Sequence, residues 1–400
     1  MDISGKKVVV GLTGRVGSGV TAFLLKKQGY QVIGVSIINH SMDAFKGSEN
    51  PPKCHVSDLA KIEQFCHFLG IPFYATDSKR EFEDKVIDPF TSNRLTARAN
   101  TTCFNCTNLR IKVLIEKMHK LKADYISTGH FCKVHKNLNS DNYSIHANND
   151  VESDQSYLLA GIPEEHLKHL LLPLGELRVN EVNTIAKKFN LPLDESRADG
   201  KFCYKDPESY SKMLEARVPN SLKKDGQVQN IDTEVIHGEH KGIIHHYITE
   251  KNLNFSGINP NDKNVQIVNY DFGRALIELG SDEHLTFKGC QIFELRLSSG
   301  LDRSKPMSCF IKNKYSNNYV SCVIYFKNNQ SAYIEFEESL YPLIEGEKLV
   351  IFDRNTRNAK VIGAGTIGQR GEFKLIDRAE DFKSKNEENE LAKSVKTFKF

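Results

Sequence analysis

Val8-Val9-Val10-Gly11-Leu12-Thr13-Gly14-Arg15-Val16-Gly17-Ser18-Gly19 is the stretch on which the reading of this chain turns. Its opening run of valines predicts a short strand buried on both faces. A glycine-rich turn follows and leads into a helical pattern over about 20–28. Such a unit suits an anion, because glycines let the backbone approach phosphates and a helix N-terminus offers N–H groups with partial positive charge. Two phosphate-loop patterns compete. Gly14 through Thr21 nearly spells G-x-x-x-x-G-K-[ST], but Val20 stands where the Lys belongs. Thr13-Gly14-Arg15-Val16-Gly17-Ser18 can instead be read against a pyrophosphatase loop, S-G-G-x-D-S. A tight turn holding no ligand is the third reading, and the loop alone does not choose among them.

Outward from this unit the alternation continues. Strands are expected at 31–37, 72–75 and 124–127, with helices at about 56–69, 80–90 and 109–121. Strands separated by helices imply βαβ units, an α/β domain with a parallel sheet, and a ligand crevice at the strands' carboxyl ends. After about Asp206 the helical periodicity weakens. Short β-rich runs such as 265–268, 319–326 and 332–335 take over, separated by Gly, Asn, Ser and Pro. The residues alone predict an α/β domain, then one or two small β-rich domains, and a solvated, charged stretch from 377 to 400.

Composition removes some function classes. No apolar run reaches the ~18 residues needed to cross a bilayer, and Met1-Asp2-Ile3-Ser4-Gly5 runs straight into the first strand. The expectation is a cytoplasmic protein with neither leader nor membrane partner. With 54 Lys and Arg against 51 Asp and Glu, the net charge of +3 demands no polyanionic partner overall. Locally the balance differs: between Arg94 and Lys122 seven basic residues face one acid, Glu116, which suits a phosphate backbone.

That basic stretch encloses Cys103-Phe104-Asn105-Cys106, and a third notable thiol is Cys203 in Gly200-Lys201-Phe202-Cys203-Tyr204. Nine cysteines in a chain without a leader read as thiols, not as a disulfide framework. Two thiols meeting at an activated carbon could divide the work, one as nucleophile and one carrying a persulfide. Three meeting at one point could hold an iron–sulfur cluster with an open iron site. A zinc site lacks a second C-x-x-C. His237, His240, His245 and His246 offer imidazoles, but they read more simply as ordinary surface or core histidines.

Taken in order, the segments from about 6 to 370 resemble the tRNA-specific 2-thiouridylase family (MnmA/TrmU type). Those that carry the likeness are the first strand and its loop, Leu24-Leu25-Lys26-Lys27-Gln28-Gly29-Tyr30, the Cys103/Cys106 segment and Ala123-Asp124-Tyr125-Ile126-Ser127-Thr128-Gly129-His130. They continue with Asp154-Gln155-Ser156-Tyr157-Leu158, Leu172-Pro173-Leu174-Gly175-Glu176-Leu177, the Cys203 segment, Gly238-Glu239-His240-Lys241-Gly242 and residues 363–370. The resemblance implies an adenine-nucleotide-hydrolase-like PP-loop domain over 1–207, a small β-rich middle domain over 208–283, a C-terminal β-barrel over 284–376 and a charged, disordered tail over 377–400. It implies an enzyme that uses ATP and Mg2+ to adenylate C2 of a wobble uridine in tRNA, and then replaces the oxygen with sulfur. A sulfur-relay protein or cysteine desulfurase would supply that sulfur.

By the same resemblance Gly11, Leu12, Thr13, Gly14, Arg15, Val16, Gly17 and Ser18 line ATP, with Ile37 and Gly129 near the adenosine. Cys106 matches the nucleophile and Cys203 the persulfide carrier. Thr101, Thr102 and Cys103 fall where the family meets the target base. His130, Ser153, Asp154, Gln155, Lys314, Tyr315 and Glu347 fall where it meets tRNA. The departures are specific. The loop's Asp is Gly17, its second Gly is Arg15 and the Ser after the Asp-Ser pair is Gly19. The triplet N-P-D or N-P-C is Thr101-Thr102-Cys103, C-N-x-x-I-K is represented by Cys106-Thr107-Asn108-Leu109-Arg110, and the barrel Gln is Glu347. Losing a metal-binding carboxylate while keeping the thiols suggests a divergent member, with Arg15 a substitute source of positive charge. The alternatives are a paralogue that binds RNA without adenylation, and an iron–sulfur enzyme with a [4Fe-4S] cluster on Cys103, Cys106 and Cys203.

Overall fold

Three consecutive valines, each wholly shielded from solvent, form the centre of β1 (Lys7–Gly11). In a strand successive side chains point to opposite faces. Val8 and Val10 accordingly join one apolar cluster and Val9 another, so the sheet is covered on both sides. The computed structural model describes residues 5–39, 59–137, 141–193, 213–220, 223–251, 253–255, 258, 264–313 and 318–371. Cys203, Lys314, Tyr315 and the expected tail over 377–400 lie outside these residues.

The first unit runs β1, α1 (Val16–Lys27), β2 (Gln31–Ile38), α2 (Leu59–Leu69), β3 (Phe73–Asp77), α3 (Lys79–Phe82), a π-helical stretch (Glu83–Ile87), α4 (Asp88–Leu95), α5 (Thr102–Lys120) and β4 (Tyr125–Ser127). Next come β5 (Lys133–Lys136), β6 (Tyr143–His146), α6 (Ser156–Leu159), α7 (Glu164–Leu167), β7 (Leu170–Leu171) and α8 (Val179–Lys188). The sheet order is β3-β2-β1-β4-β7, with all pairs parallel. The chain leaves β1 to one side for β2 and returns to its other side as β4. That makes the β1/β4 boundary the switch point, where a crevice opens beyond the strands' carboxyl ends.

Two elements start earlier than their periodicity predicts. α1 begins at Val16, not near 20, because Ser18 folds the loop onto the helix: its hydroxyl accepts from the Thr13 amide (3.2 Å) and donates to the Arg15 carbonyl (3.0 Å). α5 begins at Thr102, not near 109, so the Cys103/Cys106 pair sits on the helix and not before it. Asn100 starts that helix, its Oδ1 accepting from both the amide (2.9 Å) and the hydroxyl of Thr102.

A four-stranded sheet follows, in the order β10-β11-β8-β9, built from β8 (Gly226–Asn230), β9 (Ile236–His240), β10 (Gln266–Asp271) and β11 (Leu276–Gly280). A closed barrel completes the described chain. It comprises β12 (Phe287–Leu297), β13 (Met307–Lys312), β14 (Val320–Phe326), β15 (Ala332–Leu340), β16 (Lys348–Phe352) and β17 (Val361–Arg370). The barrel is not an appendage: Val350, Phe352, Val361 and Ala364 belong to the same apolar cluster as Ile111, Leu114 and Met118 of α5.

Candidate active site

The crevice is bounded on one side by the β1–α1 loop. Gly14 has φ +75°, a left-handed conformation that glycine adopts without penalty. Gly17 lies against Gly129, just past β4: a Cβ on Gly129 would meet the Gly17 carbonyl carbon and the Ser18 nitrogen at 2.7 Å, and one on Gly17 would meet the Gly129 carbonyl oxygen at 3.3 Å. Backbone therefore meets backbone at the switch point, and no side chain fits at Gly129. The first turn of α1 carries no acidic residue, so its N–H groups face the crevice without a competing internal anion.

These features fit a phosphate group. They do not fit a protein-held Mg2+: residues 11–19 contain no carboxylate, and among the described residues no cluster of three or more His, Cys, Asp or Glu side chains is placed to hold a metal. The iron–sulfur set is incomplete among the described residues, since Cys203 lies outside them. His240 hydrogen-bonds the Ala275 carbonyl (3.0 Å) and accepts from the Gly242 amide (3.0 Å), as an ordinary core histidine does.

On the other side stands the N-terminal end of α5. Cys103 and Cys106 are partly exposed, and this helix also lacks an acid in its first turn. Cys66, Cys132, Cys290, Cys309 and Cys322 are buried, and burial pushes the thiols of Cys66 and Cys132 upward. They are packing residues. Thr101 and Thr102 are buried; the Thr101 hydroxyl accepts from Asn105 Nδ2 (3.3 Å). The loop before α5 is tied to the barrel, where the Ala99 amide donates to the Glu345 carbonyl (2.8 Å). Glu347, fully buried, follows two residues later.

Two residues that sequence reasoning missed converge here. Asn39, at the carboxyl end of β2 and two residues beyond the buried Ile37, donates from Nδ2 to Cys106 Sγ at 4.0 Å. Its Oδ1 accepts from the Ser78 hydroxyl at 3.0 Å. A polar residue ending an apolar strand at the crevice was the available signal. Arg110 shares the flank of α5 that carries Cys103 and Cys106, at i+4 from Cys106. Its charge is felt at His130, whose pKa is pushed down to about 4 by desolvation and, second, by Arg110. His130 shares a 2.8 Å hydrogen bond with Thr128, and its lowered pKa leaves it an uncharged imidazole at neutral pH.

Ser153, Asp154 and Gln155 are turned inward. Gln155 Oε1 accepts from the Phe131 amide (3.1 Å), and Ser153 donates to Asp150 (2.6 Å). The Asp154 carboxylate accepts from the Asn148 and Ser156 amides (3.0 and 3.1 Å), from the Ser156 hydroxyl (2.9 Å) and from Lys312 Nζ of the barrel (3.1 Å). Side-chain exposure is only 2% for Asp154 and 6% for Lys312, so this ion pair is a dry tether between the two domains.

Comparison with known proteins bears on the family and the fold. The tRNA methyl transferase HUP domain model matches residues 6–206, and the aminomethyltransferase beta-barrel domain model matches residues 287–367. The tRNA-specific 2-thiouridylase MnmA of Clostridium acetobutylicum is 28% identical over 371 residues, covering 90% of this chain and 99% of the relative. That of Halothermothrix orenii is 30% identical over 368 residues, covering 90% and 98%. Parallel sheet, β-rich middle sheet and barrel follow in the order the likeness implied, and the chain belongs to the tRNA-specific 2-thiouridylase family.

Proposed function

We propose that this chain is an ATP-dependent sulfurtransferase that places sulfur on C2 of a tRNA uridine, with Cys106 as nucleophile and Cys203 as persulfide carrier. The observation that supports it most is the exposure of Cys106 at the start of α5, on the same carboxyl edge of the sheet as the phosphate-compatible loop. The chemistry dictates two halves. A uridine C2 oxygen leaves poorly; as an AMP ester, formed with release of pyrophosphate, it leaves well. The terminal sulfur of a Cys203 persulfide then attacks C2 and AMP departs. Cys106 next attacks the Cys203 sulfur and breaks the S–S bond. Thiouridine leaves, and a Cys106–Cys203 disulfide remains for an external dithiol to reduce.

In this reading the N–H groups of the β1–α1 loop, with Arg15 and Arg110, meet the charge of the leaving groups, and no step is assigned to a metal. Asn39 holds the Cys106 sulfur toward the crevice. A second reading, RNA binding without adenylation, is favoured by the missing loop carboxylate at Gly17. One experiment separates the two: AMP and pyrophosphate release with bound tRNA, in the wild type and in Cys106→Ser. The enzyme reading expects adenylation in both and thiolation only in the wild type. A wild type that binds tRNA but releases no AMP establishes the binding reading.

A further inference from the structure

We propose that the open cleft between α5 and the barrel, about 680 Å3 in volume, grips the phosphate backbone of the tRNA substrate. This inference rests on the function proposed above and adds a binding surface that none of the residues assigned to ATP, base or thiol chemistry lines. One wall is the face of α5 bearing Asn105, Asn108 and Lys112, with Lys85 beside it; the barrel supplies Arg296 and Lys348 opposite.

Three observations carry the inference. First, the balance of charge in the cleft is positive. Its lining holds four cations, Lys85, Lys112, Arg296 and Lys348, against two carboxylates, Glu81 and Glu294; Lys348 pairs with Glu294 at 2.8 Å, and Lys112 lies 3.9 Å from Glu116 outside the lining. Second, the same helix carries the proposed nucleophile. From Cys106 to Lys112 is about 9 Å along the axis and about a third of a turn around it. A backbone held in the cleft is thereby indexed to the thiol by one rigid element. Third, the lining is wrong for a protein partner, which would need an accessible aromatic or aliphatic anchor at its centre. The aromatic ring here, Phe104, is 7% exposed and lies under Lys348 Nζ at 5.7 Å. Exposed cations flanked by carboxamides suit phosphate and ribose oxygens.

The test counts released counterions. Lys85→Gln, Lys112→Gln and Arg296→Gln are combined, and tRNA affinity is measured across a salt series. Lys187→Gln with Lys188→Gln, in the last turn of α8, serves as the control. All five side chains are exposed, and equal thermal midpoints verify the fold. The slope of log affinity against log salt should become shallower by about 2 to 3 in the triple variant, at ~0.7–0.9 per phosphate contact, with roughly 10- to 100-fold weaker binding near 150 mM salt. The control should match the wild type. A triple variant with unchanged slope and affinity overturns the proposal. So does intact tRNA affinity with lost binding of an acidic sulfur-carrier protein, which would make the cleft a protein-docking surface. Failure of the underlying function shows in the wild type itself, as bound tRNA without AMP release or thiolation; failure of the cleft shows only in the comparison of variant with wild type.

Discussion

The two helix N-termini that face each other across the crevice are built differently. At α1 the side-chain hydrogen bonds that shape the loop are local: Ser18 closes on Thr13 and Arg15, and Thr21 Oγ1 donates to the Gly17 carbonyl (2.8 Å), while Gly129 approaches from β4 by backbone alone. At α5 the contacts come from far away in the chain. Asn39 and Ser78 approach from the sheet edge, and the loop through Ala99 is pinned to Glu345 of the barrel. The nucleotide half is therefore built within the first domain, whereas the thiol half depends on how the barrel docks. In the proposed two-step reaction, this arrangement lets the loop lack a carboxylate without disturbing the thiols. It also makes the geometry of sulfur transfer a property of the whole chain.

The comparison can be broken at several points. The largest effect is expected from Cys106→Ser, which should lower single-turnover thiolation by at least about 10^3-fold while leaving nucleotide binding at α1 intact. Retardation of thiolated tRNA on a mercury gel measures it. Lys312→Met comes next: it strands the Asp154 carboxylate in a dry site and should cost about 3–5 kcal/mol in denaturant unfolding. It should also slow thiolation while sparing ATP affinity, because only the thiol half depends on the barrel. Equal losses in both halves would erase the distinction.

Gly129→Ala tests the other half. A Cβ 2.7 Å from the Gly17 and Ser18 backbone forces the loops apart, at a cost of about 1–3 kcal/mol. Isothermal titration should show ATP affinity falling, whereas alkylation of Cys106 should be unaffected. The smallest effect concerns His130. With its pKa lowered to about 4, against 6.5 in the unfolded chain, it remains neutral in the native state while the unfolded chain takes up a proton. Its contribution to stability is complete above about pH 6.5 and is lost as pH falls from there toward 4. NMR should find no His130 protonation above pH 5; a midpoint near 6.5 would contradict the desolvated imidazole.

Legibility in the sequence followed the same division. The β1–α1 unit could be read from Val8-Val9-Val10 and the glycines because its structure is made by neighbours in the chain. The parallel sheet was legible through alternating strand and helix signals; the short β-rich runs gave the later domains only as β-rich, and the barrel came from the resemblance. The start of α5 was not. Thr102-Cys103-Phe104-Asn105-Cys106-Thr107-Asn108 has no apolar period, and the helix begins there because Asn100 Oδ1 accepts from the Thr102 amide and tertiary packing supports it. Asn39 could not be paired with Cys106 by spacing, since 67 residues separate them. Nor could the burial of Asp154 be foreseen, because its partner Lys312 lies 158 residues away.

The central claim is that this divergent loop still serves thiolation of tRNA. Mass spectrometry of nucleosides from tRNA of cells with and without the gene, complemented with the wild type or Cys106→Ser, tests it most directly. The account predicts a wobble 2-thiouridine that disappears without the gene and returns only with the wild type. A thiouridine profile identical in all four strains would contradict it.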